Sequence, residues 1–221
     1  MQIIGFPAGM FQTNCYIVSD AAGDCVIVDP GQDAEDQVRR QVSEAGLKPR
    51  AVLLTHGHLD HIWNAQQVAD HYGVPAYIHP EDRVMLSDPG QGLSLDLSAM
   101  LKDIAFTEPA EVIEVFDGDT LRFGAMTFDV DHVPGHSPGS VSFRIVVDTE
   151  EGRRTVVLGG DVLFQDGVGR TDLPAGDTDV LMQSIAKKFL TLDDDAVVLP
   201  GHGPSTTVGR ERRSNPFLRD L

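Results

Sequence analysis

Basic residues are scarce in this chain: 17 Lys+Arg stand against 34 Asp+Glu in 221 residues, a formal charge of −17. Such a balance repels a phosphate backbone and argues against nucleic acid as a partner. Long apolar runs are missing as well. No stretch approaches the roughly 20 apolar residues that cross a bilayer, and the opening MQIIGFPAGMF lacks the basic start and apolar core of a secretory leader. The expectation is therefore no membrane partner and a cytoplasmic location. Cysteine is limited to Cys15 and Cys25, each inside an apolar, strand-like segment. Both read as inert core thiols, with a disulfide between facing strands as the alternative. Short-period repeats and low-complexity segments are absent, and no serine nucleophile elbow is read in the chain.

What remains is ordinary globular composition, 41% hydrophobic and 23% charged, at a length that fits one layered α/β domain over residues 1–221. Short β-branched runs at Gln2 to Phe6, Cys15 to Ser19 and Cys25 to Asp29 predict an antiparallel meander. Ala34, Val38, Val42 and Ala45 predict a helix that stops at Gly46, and Ala51 to Leu54 a fully buried strand. Ile62 to Tyr72 reads as a second helix and Ala76 to Ile78 as a short strand. Leu93, Leu97, Leu101 and Ile104 predict an amphipathic helix, either a cover over a site or a plain surface helix. Strand signals return at Val112 to Phe116, Thr120 to Phe123, Met126 to Val133, Ser140 to Val147 and Thr155 to Leu158. A helix over Thr178 to Leu190 and a buried strand over Ala196 to Leu199 close the pattern. Strands followed by helices, twice over, fit two sheets packed face to face with helices outside.

The chemistry concentrates in turns after strands. In THGHLDH, residues two apart on an extended segment point the same way, so His56 and His58 share one side. Asp60 and His61 fall where the chain bends into a helix and face an adjacent point. His136 in PGHS, Asp161 in GGD and His202 in PGHG each occupy a glycine-bearing turn just after a strand. Five of the eight histidines lie in such turns, and HxHxDH spacing is rare by chance; the set reads as ligands for two neighbouring cations. His71, His79 and His132 lack this setting. The donors are nitrogen and oxygen without thiolate, which suits Zn²⁺ and also Fe or Mn. Two ions about 3.5–4 Å apart would share a hydroxide, polarise a carbonyl and stabilise the oxyanion formed on attack.

THGHLDH together with GHS at His136, GGD at Asp161 and GHG at His202 resembles the metallo-β-lactamase superfamily over nearly the whole chain. The resemblance implies a four-layer αββα sandwich with two mixed β-sheets. It also implies that one metal takes His56, His58 and His136, the other takes Asp60, His61 and His202, and Asp161 bridges them. Asp60 and Asp161 would then be the catalytic carboxylates. Asp29, in the VDPG turn, matches a position that braces the HxHxDH loop; without the resemblance it would be an ordinary turn residue.

GDVLFQDGVGRTDLP and GHGPSTTVGRERRSNPFLRDL are most similar to the glyoxalase II group, hydroxyacylglutathione hydrolases, in its short bacterial form. That likeness implies thioesterase action on S-D-lactoylglutathione or a related hydroxyacyl thiol, with the small thioester as the only expected partner. A thioester suits the chemistry, because its leaving thiolate needs little protonation. Long members of the group carry a C-terminal helical extension with basic residues, and a Lys and a Tyr after the bridging carboxylate. Here the loop reads GVGRTDL, with Arg170 near the Lys position and no Tyr, which makes Arg170 the candidate contact to an anionic substrate. Arg213 reads as a second such contact or as a surface arginine. The GRTD segment also resembles persulfide dioxygenases of the superfamily, which use one iron, and a lactonase fits the same centre. A β-lactamase reading is disfavoured, since its best-known members are exported and place Cys where Asp161 stands.

Overall fold

A computed structural model describes residues 1–93, 105–150, 152–219 and 221. Two six-stranded sheets carry the fold. The first has the order β1 (Gln2–Ala8), β2 (Thr13–Ser19), β3 (Asp24–Val28), β4 (Lys48–Leu53), β5 (Ala76–Ile78), β6 (Val112–Glu114). β1 to β3 form the antiparallel meander, and β3 to β6 run parallel. In the second sheet β14 (Thr206–Thr207) and β13 (Val197–Pro200) adjoin β10 (Gly152–Gly160), followed by β9 (Val141–Thr149), β8 (Met126–His132) and β7 (Thr120–Phe123). Only β10 and β13 pair in parallel there, so both sheets are mixed. A small ribbon, β11 (Leu163–Phe164) with β12 (Gly167–Val168), follows β10.

The period-2 pattern explains the layers. Tyr16, Val18, Val26, Val28, Ala51 and Leu53 project from the first sheet onto Phe123, Met126, Phe128, Val130, Phe143, Ile145 and Leu158 of the second. Their alternates, Cys15, Ile17, Cys25, Ile27 and Val52, face outward against α1 (Glu35–Glu44) and α3 (Ala65–Tyr72) through Val38, Val42, Val68 and Ala69. On the other side Val157 and Val198 meet α5 (Thr178–Ser184), the π turn Ile185–Phe189 that continues it, and α6 (Val208–Ser214). The αββα architecture expected from the sequence is the architecture observed. Cys15 and Cys25 are free, buried thiols, so the disulfide alternative falls away.

Boundaries differ where local chemistry overrides pattern. The expected helix over 62–72 is two helices, α2 (Leu59–Ile62) and α3, and α2 starts inside the HxHxDH motif. A further short helix, α4 (Pro80–Arg83), was not expected; Pro80 opens it and the His79 side chain accepts from Glu81 N–H. Of the amphipathic helix expected within Ser87 to Thr107, the part carrying Leu97, Leu101 and Ile104 lies outside the described residues. No helix among the described residues is long and apolar enough to cross a membrane.

Candidate metal centre

Four loops at strand ends, after β4, β8, β10 and β13, bring the seven sequence candidates together. His56 and His58 leave β4 on one side of the chain, as their spacing predicts. His136 Nε2 lies 3.2 Å from His56 Nε2 and 2.8 Å from His58 Nδ1. Beside this group, Asp60 and His61 occupy the first turn of α2. His61 Nε2 is 3.4 Å from Asp60 Oδ2, and His202 Nε2 is 3.0 Å from the same oxygen. Asp161 stands between the groups: Oδ2 is 3.6 Å from His136 Nε2 and 3.5 Å from His202 Nε2, while Oδ1 is 3.4 Å from His61 Nε2. His56, His58 and His136 make one set with metal-ligand spacing, and Asp60, His61 and His202 make another.

Hydrogen bonds at the far side of three of the rings fix which nitrogen faces inward. His136 Nδ1 donates to the Arg170 carbonyl (2.8 Å), and His61 Nδ1 donates to Asp29 Oδ2 (3.0 Å). Thr55 Oγ1 gives its proton to Asp29 Oδ2 (2.6 Å), so it accepts from His56 Nδ1 (3.1 Å). In the neutral rings, all three Nε2 atoms therefore present lone pairs to the interior. Lone pairs of His56 and His136 facing each other at 3.2 Å repel unless a cation sits between them. His61 Nε2 and Asp161 Oδ1 are buried without a hydrogen-bond partner. Groups so arranged fit bound cations and fit a purely structural role poorly.

Electrostatics divide the centre in two. Burial and the neighbouring histidines hold His56 well below the usual imidazole range, and burial with His136 pushes His58 down to about 3. Burial opposes charge on His61 and His202 too, but the Asp60 and Asp161 carboxylates, and Asp29 for His61, raise both. Asp60 and Asp161 are lowered in turn, against their own burial, chiefly by His61. His56 and His58 are thus held toward the neutral form, whereas the imidazoles of the neighbouring group lie against carboxylates that favour their charge.

Other side chains hold the loops. Asp29, 2% exposed, accepts from Thr55 N–H (2.8 Å) in addition to Thr55 Oγ1 and His61, which is the bracing contact expected of it. Thr13 Oγ1 donates to Asp60 Oδ2 (3.0 Å). Tyr16 Oη (2.8 Å) and Asn14 Nδ2 (3.0 Å) both donate to the Pro200 carbonyl, which fixes the loop of His202. Gly201 is required there: a Cβ would lie 2.2 Å from Asp161 Oδ1 and 2.5 Å from His61 Cε1. No local pattern distinguishes TN at residues 13–14 from any strand start, so sequence reasoning had no signal for these contacts. The GHSPG turn does spell the GxSxG pattern that went unread. Ser137 is nevertheless fully buried, bonded to Asp82 and Ser140, and followed by a strand, so it is no nucleophile.

A cavity of about 580 Å³ opens over the centre, walled by Phe11, Leu93, Phe164, Val168 and Leu173 with Asp60, His136, Asp161 and His202 at its floor. Arg170 lines it, yet its guanidinium makes a bidentate pair with Asp172 (2.7 and 2.8 Å). Arg213 does not line it; 68% exposed, it pairs with Asp194 and takes the surface reading. Away from the centre, His79, Glu81 and His132 form a further cluster. There His132 Nε2 donates to the Pro138 carbonyl and the two rings stack, so no pair of lone pairs converges.

Comparison with known proteins agrees with this geometry. A family model described as the metallo-beta-lactamase superfamily matches residues 8–202. The chain is 55% identical to an uncharacterized protein of Mycobacterium leprae, covering 100% of each, and 39% identical to the hydroxyacylglutathione hydrolase GloC of Haemophilus influenzae, covering 99% and 98%. Among solved structures, the BLEG-1 B3 metallo-beta-lactamase superposes with a TM-score of 0.84 at 38% identity, covering 99% of this chain and 100% of that one. The protein TTHA1623 in a di-iron-bound form superposes with a TM-score of 0.79 at 38% identity, covering 97% and 100%.

Proposed function

The chain belongs to the metallo-beta-lactamase superfamily, and from that premise we propose that it is a binuclear metal-dependent thioesterase of the glyoxalase II kind, cleaving S-D-lactoylglutathione or a related hydroxyacyl thiol. The observation that carries the reading is the pair of three-residue donor sets with Asp161 between them. A relative named hydroxyacylglutathione hydrolase, 39% identical over almost its full length, supports the substrate class. A di-iron form of a relative at 38% identity supports two ions and leaves Zn²⁺, Fe and Mn as candidates.

His56, His58 and His136 would hold one cation, Asp60, His61 and His202 the other, with Asp161 reaching both. Two such ions, when bound, acidify water toward neutrality and polarise a carbonyl. The chain's own groups do the rest. Asp29 and the Arg170 carbonyl keep His61 and His136 in the tautomer whose Nε2 faces the ions. The wall of Phe11, Phe164, Val168 and Leu173 gives an acyl group or the stem of a thiol an apolar surface and restricts water around it. Arg170, tied to Asp172, orients a polar part of the substrate at the cavity edge and not as an isolated charge.

Likeness to a B3 metallo-beta-lactamase gives one second reading, hydrolysis of a β-lactam ring by the same centre. The test compares kcat/KM for S-D-lactoylglutathione, other hydroxyacyl thioesters and a chromogenic cephalosporin on one metal-loaded preparation. The proposal expects thioesters to be preferred by at least about tenfold, a difference of about 1.4 kcal/mol in transition-state binding. Faster opening of the β-lactam would reverse the assignment, and oxygen uptake with glutathione persulfide would move it to an oxidoreductase.

A further inference from the structure

We propose that Asp82 is a positioning residue for the metal centre: its carboxylate locks the loop carrying His56 and His58 against the loop carrying His136, and so sets how tightly the three-histidine group holds its cation. The inference rests on that group being a metal site.

Asp82 is fully buried on α4, a helix that supplies no candidate ligand. Among the described residues, every hydrogen bond its carboxylate receives comes from the two ligand loops. Gly57 N–H, between the two histidines of one loop, donates to Oδ2 at 2.8 Å. From the other loop, Ser137 Oγ, next to His136, donates to the same oxygen at 2.6 Å, and Gly139 N–H donates to Oδ1 at 2.7 Å. Both loops are pressed onto α4. A Cβ at Gly57 would lie 2.7 Å from the Asp82 carbonyl oxygen, and one at Gly139 would lie 2.7 Å from Asp82 N and Oδ1. One rigid carboxylate thus joins the neighbours of all three histidines, whose facing nitrogens are 2.8–3.2 Å apart. A buried carboxylate that served stability alone would have no reason to draw its donors from these two loops and no others. An amide cannot reproduce it: whichever oxygen becomes NH2 faces a backbone N–H, that of Gly139 at Oδ1 or that of Gly57 at Oδ2, so one of the three ties is lost and the clamp loosens.

The experiment titrates metal-free wild type, Asp82→Asn and Ser137→Ala with Co²⁺ against a competing chelator, following the visible ligand-field bands, with circular dichroism reporting the fold. In Asp82→Asn one Co²⁺ site should weaken about 10–100-fold, with altered band intensity. Ser137→Ala should give a smaller loss of at least about threefold, because Gly57 N–H keeps its acceptor. A folded Asp82→Asn that binds Co²⁺ like wild type with unchanged bands, however unstable, would overturn the proposal. If Asp82→Asn does not fold, Ser137→Ala decides: unchanged affinity and spectrum overturn it. Absence of Co²⁺ uptake by wild type would instead remove the metal reading itself, and this inference with it.

Discussion

Replacing Asp29 tests whether the centre is pre-shaped by the protein before any ion arrives. Its carboxylate accepts from Thr55 N–H, Thr55 Oγ1 and His61 Nδ1, all buried, and its backbone sits at φ 48 in the left-handed region. Asp29→Ala orphans three donors at about 1–3 kcal/mol each and places a Cβ residue without a local polar group in that region at about 1–2 kcal/mol. Even at the low end the loss is about 4 kcal/mol, a large share of the roughly 5–15 kcal/mol that holds a domain folded. Asp29→Asn keeps the backbone tolerance and one acceptor oxygen, and should lose only about 1–3 kcal/mol. Urea unfolding of the metal-free proteins, followed by circular dichroism, measures both. An alanine variant within about 1 kcal/mol of wild type, or equal losses in the two variants, would refute the reasoning.

Acid should weaken the metal-free protein through its neutral histidines. His58 is held at about 3 and His56 is lowered as well, whereas unfolded imidazoles titrate near about 6.5. Between about pH 6.5 and 4 the unfolded chain binds protons that these native rings refuse, so stability falls with pH by up to about 1.4 kcal/mol per unit for each. His61 and His202, raised in the native state, oppose this only near the unfolded value of about 6.5, and their effect levels off as pH falls further. Urea midpoints that stay level or rise as pH drops would contradict this. Gly201→Ala drives a Cβ into Asp161 Oδ1 and His61 Cε1, and is expected to remove at least one of two bound cations; uptake of two ions with wild-type affinity would count against the geometry.

Much of the fold was legible because burial follows simple periods here. Unbroken apolar runs at Cys15–Val18 and Cys25–Val28 mark strands with two covered faces, and Val38 with Val42 marks the face of α1. The seven candidate ligands were legible because polar side chains in glycine-bearing turns after apolar strands have few other uses. What escaped was nonlocal. Nothing near Asp82 tells that its carboxylate will meet Gly57, Ser137 and Gly139, which are 25, 55 and 57 residues away. Likewise Arg170 showed a cation where the structure shows an ion pair, because its partner Asp172 two residues on could equally have faced away. Arg213 likewise showed a cation, yet it meets Asp194, and Arg210 beside it meets Asp166 and Glu211.

The central claim, that seven side chains hold a pair of cations joined through Asp161, is tested most directly by metal content after equilibrium dialysis of wild type and Asp161→Ala against Zn²⁺. Two ions per chain in the wild type, with both positions emptied or badly weakened in the variant, is the expected result. An Asp161→Ala protein that retains two tightly bound ions, or a wild type that takes up none, would contradict it.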